Sequence, residues 1–564
     1  MDTQRLVLVF VFGFSLLMLW DAWEKEHRPK PAPPAPQAVP APAPRAPATP
    51  AGTKPAAQSA PAAASAPHAP QADVPGATAA AAGGETIVVQ TDLMIAEIDT
   101  LGATLKRLEL RKHKDVKDVT KNLVLLGPEH QYEAQSGLAG EGGPNHRTLW
   151  SGRAGSYALA DGQDQLEIRL EARGPGSVQV AKIYRFQRDS YAIDVVLEIR
   201  NGGGAPLTPY AYFQLTQDGK LSTNTNTVAA SFGAQSFHGY AVYSDEKKFE
   251  KVQLADVDKG KSDYVHAASD GWLAYVQHYF VAAWLPPERM SREYAIEKRQ
   301  DGIYVGRALL PVGTIQAGAS ATVNVVLYAG PQEQRRLTAF APGFDLVVDY
   351  GWLTIVAWPL FWLLEKFHAL SGNWGVAIIL LTVLIKLIFF PLSAASYRSM
   401  AKMKLITPRL TKIREMYEHD RAKMNQAMME LYKTEKINPL GGCFPILVQI
   451  PVFIALYWVL LAAIELRHAP FMLWITDLSA LDPYYVLPVL MSATMILQTR
   501  MNPVPPDPVQ AKVMKFMPFI FSVFFFFFPA GLVLYWLVNN ILSILQQWQI
   551  QRMFDRDKPA HAKR

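Results

Sequence analysis

Five apolar runs crowd the C-terminal third of this 564-residue chain: Trp374–Pro391, Cys443–Ile464, Tyr484–Thr499, Phe516–Phe528 and Leu532–Trp548. So many successive apolar stretches exceed what one soluble core absorbs, so the spacing predicts an α-helical membrane core of five spans over residues 374–548. Several runs fall short of the usual span of about 20 residues, which implies little tilt or a thinned bilayer around them. Charge in the connections orients them. Residues 397–436 carry ten Lys/Arg against five Asp/Glu, and the connection with Arg500, Lys512 and Lys515 is basic too. The 549–564 tail is also basic, whereas Glu465–Asp482 has only Arg467 as a fixed positive charge. The basic segments are expected in the cytoplasm and the Arg467 segment outside.

The rest of the chain divides by composition. Leu6–Trp20 is an apolar run followed by bulky residues such as Trp23, where small residues would mark a cleavage site. It reads as an uncleaved anchor over residues 1–23, a sixth span with its N-terminus inside. Residues 24–84 are dominated by alanine and proline, a composition that buries no core and extends as a spacer. From 85 to 340 the pattern turns to period two, as in Ile87–Val89, Ile193–Ile199 and Val323–Tyr328. These runs predict one large antiparallel β-sandwich, placed in the periplasm by the charge rule. Residues 341–373 contain Trp352, Trp358, Trp362 and Pro359, which favour an interfacial amphipathic helix over a span. Residues 393–440 read as a cytoplasmic helical hairpin broken near His419 and Asp420.

Lys386 is the most informative residue, because it sits inside the run Leu380–Phe390. An intramembrane charge costs at least about 2.5 kcal/mol, so it either faces a wet cavity or snorkels to the nearby interface. Both readings are open from this span alone. Thr382 lies one turn before it, with Ser393 two turns beyond on a continuous helix. Tyr535, Asn539, Ser543 and Gln546 fall at helical spacing in the last run, Gln449 lies in the second, and Thr494 with Gln498 form an i, i+4 pair in the third. Each alone is ordinary interhelical glue; together they form a candidate polar groove around one fixed charge. The cytoplasmic hairpin carries Met400, Met403, Met416, Met424, Met428 and Met429, adaptable side chains suited to varied clients or simply to packing the hairpin.

Other chemistry is sparse. The single cysteine, Cys443, rules out an intramolecular disulfide and reads as a small packing residue. No zinc, phosphate-loop or nucleophile-elbow motif occurs, so no cofactor, metal or catalytic set is expected. A net charge of +6 without a basic stripe on the soluble part argues against nucleic-acid recognition. His278 reads as an ordinary sheet residue in the Trp272–Trp284 run.

Asn438–Pro445, continuing through Gln449, Pro451 and Phe453 to Tyr457, resembles the signature of the YidC family of membrane protein insertases. Pro529–Trp536 and Asp482–Tyr485 are similar to further family segments. The resemblance implies a Gram-negative layout in the inner membrane: anchor, spacer, periplasmic β-supersandwich and five core spans. It implies an insertase and chaperone, working alone or with the Sec translocon through a groove open to cytoplasm and lipid. Nascent membrane proteins would be its clients, the ribosome a further partner, and Lys386 the basic residue that the family often supplies as arginine. The sandwich also resembles sugar-processing folds. A solute transporter is the main alternative, but no internal repeat supports it. A membrane-anchored carbohydrate-binding protein is a third reading.

Overall fold

The computed structural model describes residues 84–115, 118–140, 143–220, 237–417, 419–435, 444–502 and 508–556. The expected anchor, all but the last residue of the spacer, Cys443 and residues 557–564 lie outside the described residues. The chain divides into two compact units, of which the smaller, Met1–Pro70 with Leu410–Glu435, is described only over its second segment.

The N-terminal part of the larger unit is a β-sandwich of one ten-stranded and one eight-stranded sheet. Two of the alternating runs meet directly: Ala192–Asn201 pairs antiparallel with Ser320–Pro331, setting Val195 opposite Val325 and Leu197 opposite Val323. Their β-branched and leucine side chains are buried on the sandwich interior, as strand alternation requires. Among the described residues one strand pair is parallel, Thr86–Gln90 with Gly155–Ala158. A return through the Thr104–Lys114 region and a long connection separates these strands, which a parallel pair needs and a hairpin does not.

Among the described residues, eight helices of 14 to 27 residues follow in the C-terminal half of the chain: α1 (Thr354–Ser371), α2 (Trp374–Ile388), α3 (Phe390–Met416), α4 (Arg421–Thr434, in the smaller unit), α5 (Phe444–Ala462), α6 (Val486–Met501), α7 (Pro508–Phe525) and α8 (Ala530–Arg556). Local chemistry sets their ends. Gly372 closes α1 in the left-handed conformation, its N–H bonding His368 O, and Asn373 then caps α2 by accepting from Val376 N. The Asn373 amide also donates to Phe471 O at 2.8 Å, pinning the 463–485 loop to the turn. The Phe471 ring lies where a Cβ on Gly375 would sit, so only glycine fits there. Asp482 caps the start of α6 through Leu487 N at 2.7 Å and receives Trp474 Nε1 at 2.9 Å. Ala530 and Gly531 donate to Ala480 O and Leu478 O, so two of the orphan N–H groups of α8 are satisfied by the same loop. Asp420 likewise caps α4, at the break expected in the cytoplasmic hairpin.

Among the described residues no single helix is both long and apolar enough to cross a membrane of ordinary thickness; α2 and α3 qualify only as a pair bent by 65°. That bend, at Phe389, removes Ser393 from the continuous-helix spacing that groups it with Thr382 and Lys386. Both α7 and α8 pack against α6, and Phe525 of α7 meets Trp536 of α8 edge-on with ring centroids 4.5 Å apart. Much of α7, including Phe516, Phe519, Ile520 and Val523, is exposed.

The sandwich rests on the helices through a small set of side chains. His278 is not a sheet residue: it occupies the turn between Trp272–Val276 and Phe280–Leu285, and its Nε2 donates to Leu461 O at 2.9 Å. Arg467 donates to Lys114 O and lies 5.5 Å over the Phe280 ring, against which His113 packs edge-on. Burial, with Arg467 nearby, lowers His113 and His278 to about 4. Burial raises the Glu465 carboxyl to about 7. The signs oppose. Each imidazole binds a proton in the unfolded chain but not the folded one between about 4 and 6.5, so its contribution is full above 6.5 and fades as pH falls to 4. Glu465 binds its proton first in the folded chain, so its penalty is relieved as pH falls from about 7 toward 4.5. Two imidazoles outweigh one carboxyl. Stability from this contact is expected to peak near pH 6.5 and to fall by roughly 2 kcal/mol by pH 4.5. Thermal unfolding across that range checks it, with a flatter acid limb expected for His278→Gln; identical limbs would remove His278 from the account.

Candidate functional site

Polar side chains inside an apolar helical assembly carry information only through what they meet. Thr382 is buried and its hydroxyl donates to Ile378 O at 2.7 Å, which satisfies it within α2. Lys386, one turn on, is 7% exposed and its Nζ donates to Ser543 Oγ of α8 at 2.8 Å. Among the described residues no carboxylate pairs with this ammonium. Gln546 Nε2 reaches Lys386 O at 3.4 Å, a long contact from the next turn of α8. Gln449 of α5 donates to Asn539 Oδ1 at 2.9 Å. Lys386, Gln449, Asn539 and Ser543 therefore converge where α2, α5 and α8 meet. Tyr535 lies one turn further toward the start of α8, buried, near Phe453, and its hydroxyl has no hydrogen-bond partner among the described residues.

The third-run pair goes elsewhere. Thr494 accepts from Asn540 Nδ2 at 3.0 Å, and Gln547, fully buried, donates to Asn502 Oδ1 at 3.1 Å. These bonds define a second polar seam, between α6 and α8, about 100° around α8 from the Asn539 row. Gln498 is half-buried on α6, one turn from Thr494. Sequence reasoning missed Asn540 and Gln547, although their i, i+7 spacing is a helical signal.

The six hairpin methionines divide by exposure. Met416 and Met429 are exposed, while Met400, Met403, Met424 and Met428 are half-buried. Among the described residues no cluster of His, Cys, Asp and Glu is arranged to hold a metal ion. What the assembled geometry can do chemically is limited and specific: present one ammonium and several amide groups to a polar chain.

Residues 86–363 match the family model described as the YidC periplasmic domain, and residues 366–558 match the model described as the 60Kd inner membrane protein. The chain is 52% identical over 563 residues to a protein of Nitrosospira multiformis named membrane protein insertase YidC, covering 98% of each. It is 52% identical to a protein of the same name from Methylobacillus flagellatus, covering 99% of this chain and 98% of that one. Among solved structures it is similar to an active YidC insertase with the first transmembrane domain resolved, at 18% identity and a TM-score of 0.37 over 82% of this chain and 94% of that chain. The chain is also similar to a galactose mutarotase related enzyme of Lactobacillus acidophilus, at 8% identity and a TM-score of 0.29 over 43% of this chain and 97% of that chain.

Proposed function

The chain belongs to the YidC family of membrane protein insertases, and on that premise we propose that it receives client segments in the polar groove where α2, α5 and α8 meet. It is an inner-membrane insertase with a periplasmic domain, not an enzyme, and nascent membrane proteins are its substrates. The solute-transporter reading is not favoured.

The observation that carries the groove reading is the Lys386–Ser543 bond, which turns an intramembrane charge inward toward α8. A lysine kept for snorkelling would extend its stem to the interface. The short α2 supports thinning: fifteen residues span about 22 Å, below a hydrocarbon core of about 30 Å. Passage of a polar segment through a thin, wetted path lowers its desolvation cost, and without a nucleotide site the energy comes from burial of the client's apolar segment and from the membrane potential.

In this reading the core contributes five spans and residues 1–23 a sixth, both termini are cytoplasmic, α1 lies along the periplasmic interface, and residues 24–84 form the spacer. The exposed Met416 and Met429 fit a hairpin that collects apolar client segments. The Sec translocon and the ribosome are its further partners.

The test is site-specific crosslinking from Thr382, Gln449 and Tyr535 to a stalled, ribosome-bound client, with exposed Ile520 of α7 as control. Adducts at the first three positions, appearing at Tyr535 only with longer nascent chains, are expected. Adducts confined to Ile520 would place the client on the lipid face and end the groove reading.

A further inference from the structure

We propose that the turn Met472–Ile475, between α5 and α6, is a leaflet anchor: its apolar tip inserts into the periplasmic leaflet and holds the start of α2 at a fixed depth. The proposal goes beyond the groove reading and does not depend on it. The tip is tied at several levels. Phe471 N donates to Ile475 O at 3.0 Å, Ile475 N to Met472 O at 3.1 Å and Leu478 N to Ala469 O at 3.1 Å. At the base, His468 Nδ1 lies 3.2 Å from Asp477 Oδ2, and Ile475 and Leu478 are buried beneath the turn. Leu473, by contrast, is 82% exposed and Met472 is 51% exposed. No residue between His468 and Asp477 carries a charge. Leu473 also has a φ of 55°. In water, a turn that needs a positive φ at that place takes glycine or asparagine, because a bulky side chain is strained there. A strained backbone that pushes a leucine outward is unfavourable twice over in water, and the second cost vanishes once the side chain enters lipid.

The contacts of the loop fix where the tip lies. Arg467, just before it, donates to Lys114 O of the sandwich, so the loop is on the periplasmic side of the helices. The Asn373 amide donates to Phe471 O at 2.8 Å, and the Phe471 ring stands against Gly375 in the first turn of α2. The loop therefore runs beside the end of α2, at the level where that helix enters the bilayer. Tyr484 and Tyr485, both exposed at the start of α6, add side chains that favour a membrane–water interface. A protein partner fits less well, because two protruding side chains offer a small part of the roughly 800 Å² per partner that a stable interface buries. Lipid sets no such minimum, since each inserted side chain contributes by its own buried area. Asn373 and Phe471 pin the tip to the start of α2, so an inserted tip fixes the depth of that start. The fifteen residues of α2 then draw the opposite leaflet toward it.

The experiment uses the full chain in vesicles of phosphatidylcholine and phosphatidylglycerol, with its single cysteine replaced (Cys443→Ser). A nitrobenzoxadiazole label is placed at Leu473→Cys and, in a second protein, at Met472→Cys; Lys259→Cys, exposed on the sandwich, is the aqueous reference. Labels at both tip positions are expected to be quenched by lipids with a nitroxide near the carbonyl end of the acyl chain. They are also expected to be about threefold less accessible to iodide than the reference. Iodide quenching equal to the reference would place the tip in water. Shielding from iodide without nitroxide quenching would place it against protein, and either result overturns the proposal. The depth role is read on unlabelled protein, with the β-sheet circular-dichroism midpoint as the check on folding. Leu473→Asp is expected to lower client insertion about threefold in long-chain dierucoyl vesicles and less than about 1.5-fold in short-chain dimyristoleoyl ones, because a short span is costlier to hold in a thick bilayer. Equal losses in the two bilayers would overturn the anchor and leave the groove reading, which is tested by crosslinking, standing.

Discussion

Lys386→Ala is expected to reduce insertion of clients with acidic translocated segments about tenfold, while Lys386→Arg keeps yield within about threefold of the parent. Coulomb attraction sets the scale of the effect. A carboxylate 4 Å from the ammonium gains about 4 kcal/mol at an effective dielectric of 20, and desolvation of both groups offsets most of it. A remainder of about 1.4 kcal/mol is a factor of ten. Arginine keeps the charge but replaces a compact ammonium with a planar fork, so the bond to Ser543 changes shape while attraction survives. Lys386→Met separates charge from bulk: it keeps the stem's volume and is expected to behave as alanine does. The readout is protease protection of the translocated tail in proteoliposomes. Equal losses for Arg, Ala and Met variants would exclude a charge role. No loss for any of them would return Lys386 to the snorkelling reading, in which its removal costs insertion nothing.

Why the two readings of Lys386 stood level in the sequence is instructive. Periodicity says which residues share a face of one helix, but not which helix that face meets. The β-runs were legible because alternation marks the buried side of a strand, and Val195 opposite Val325 follows from two such runs pairing. The helices were legible for the same reason, and so was the break at Asp420, whose capping side chain is a local signal. What was not legible depends on partners far apart in the chain. Thr494 and Gln449 look equivalent in sequence, yet one meets Asn540 and the other Asn539, neighbours that point about 100° apart. His278 sits in a run that reads as continuous strand, and only its bond to Leu461 O, 183 residues away, shows a turn serving as a contact. Arg467 stood out as the lone fixed cation of its loop; its use, holding Lys114 O and the Phe280 ring, belongs to tertiary structure.

Lys182→Met is expected to lower the stability of the β-domain by about 3 kcal/mol, an effect that no sequence pattern announces. Lys182 lies mid-strand in Val178–Gln187 of the eight-stranded sheet and is fully buried. Its Nζ donates to Ser136 O at 2.7 Å, Gly102 O at 2.8 Å and Ala103 O at 3.2 Å, and lies 4.8 Å from the Trp150 ring. Ser136 belongs to the other sheet, and Gly102 and Ala103 form a left-handed turn with φ of 80° and 44°, so one ammonium braces the two layers and a strained turn. Methionine fills nearly the same volume, so the loss measures polar satisfaction rather than a cavity: carbonyls that water cannot reach lose their donor. For a domain of this size about 3 kcal/mol corresponds to a fall of roughly 6–12 °C in the midpoint of the β-sheet circular-dichroism signal. The pH dependence sharpens the test. Burial pulls the Lys182 amine down to about 7. Between that value and its unfolded value of 10.5 the unfolded chain binds a proton that the folded chain does not, so the native protein gains stability as pH rises through this window. The methionine variant lacks that gain, and the gap between the two proteins is expected to widen by roughly 2 kcal/mol from pH 7 to pH 9. Midpoints that coincide at both pH values would show that the three carbonyls do not depend on the lysine.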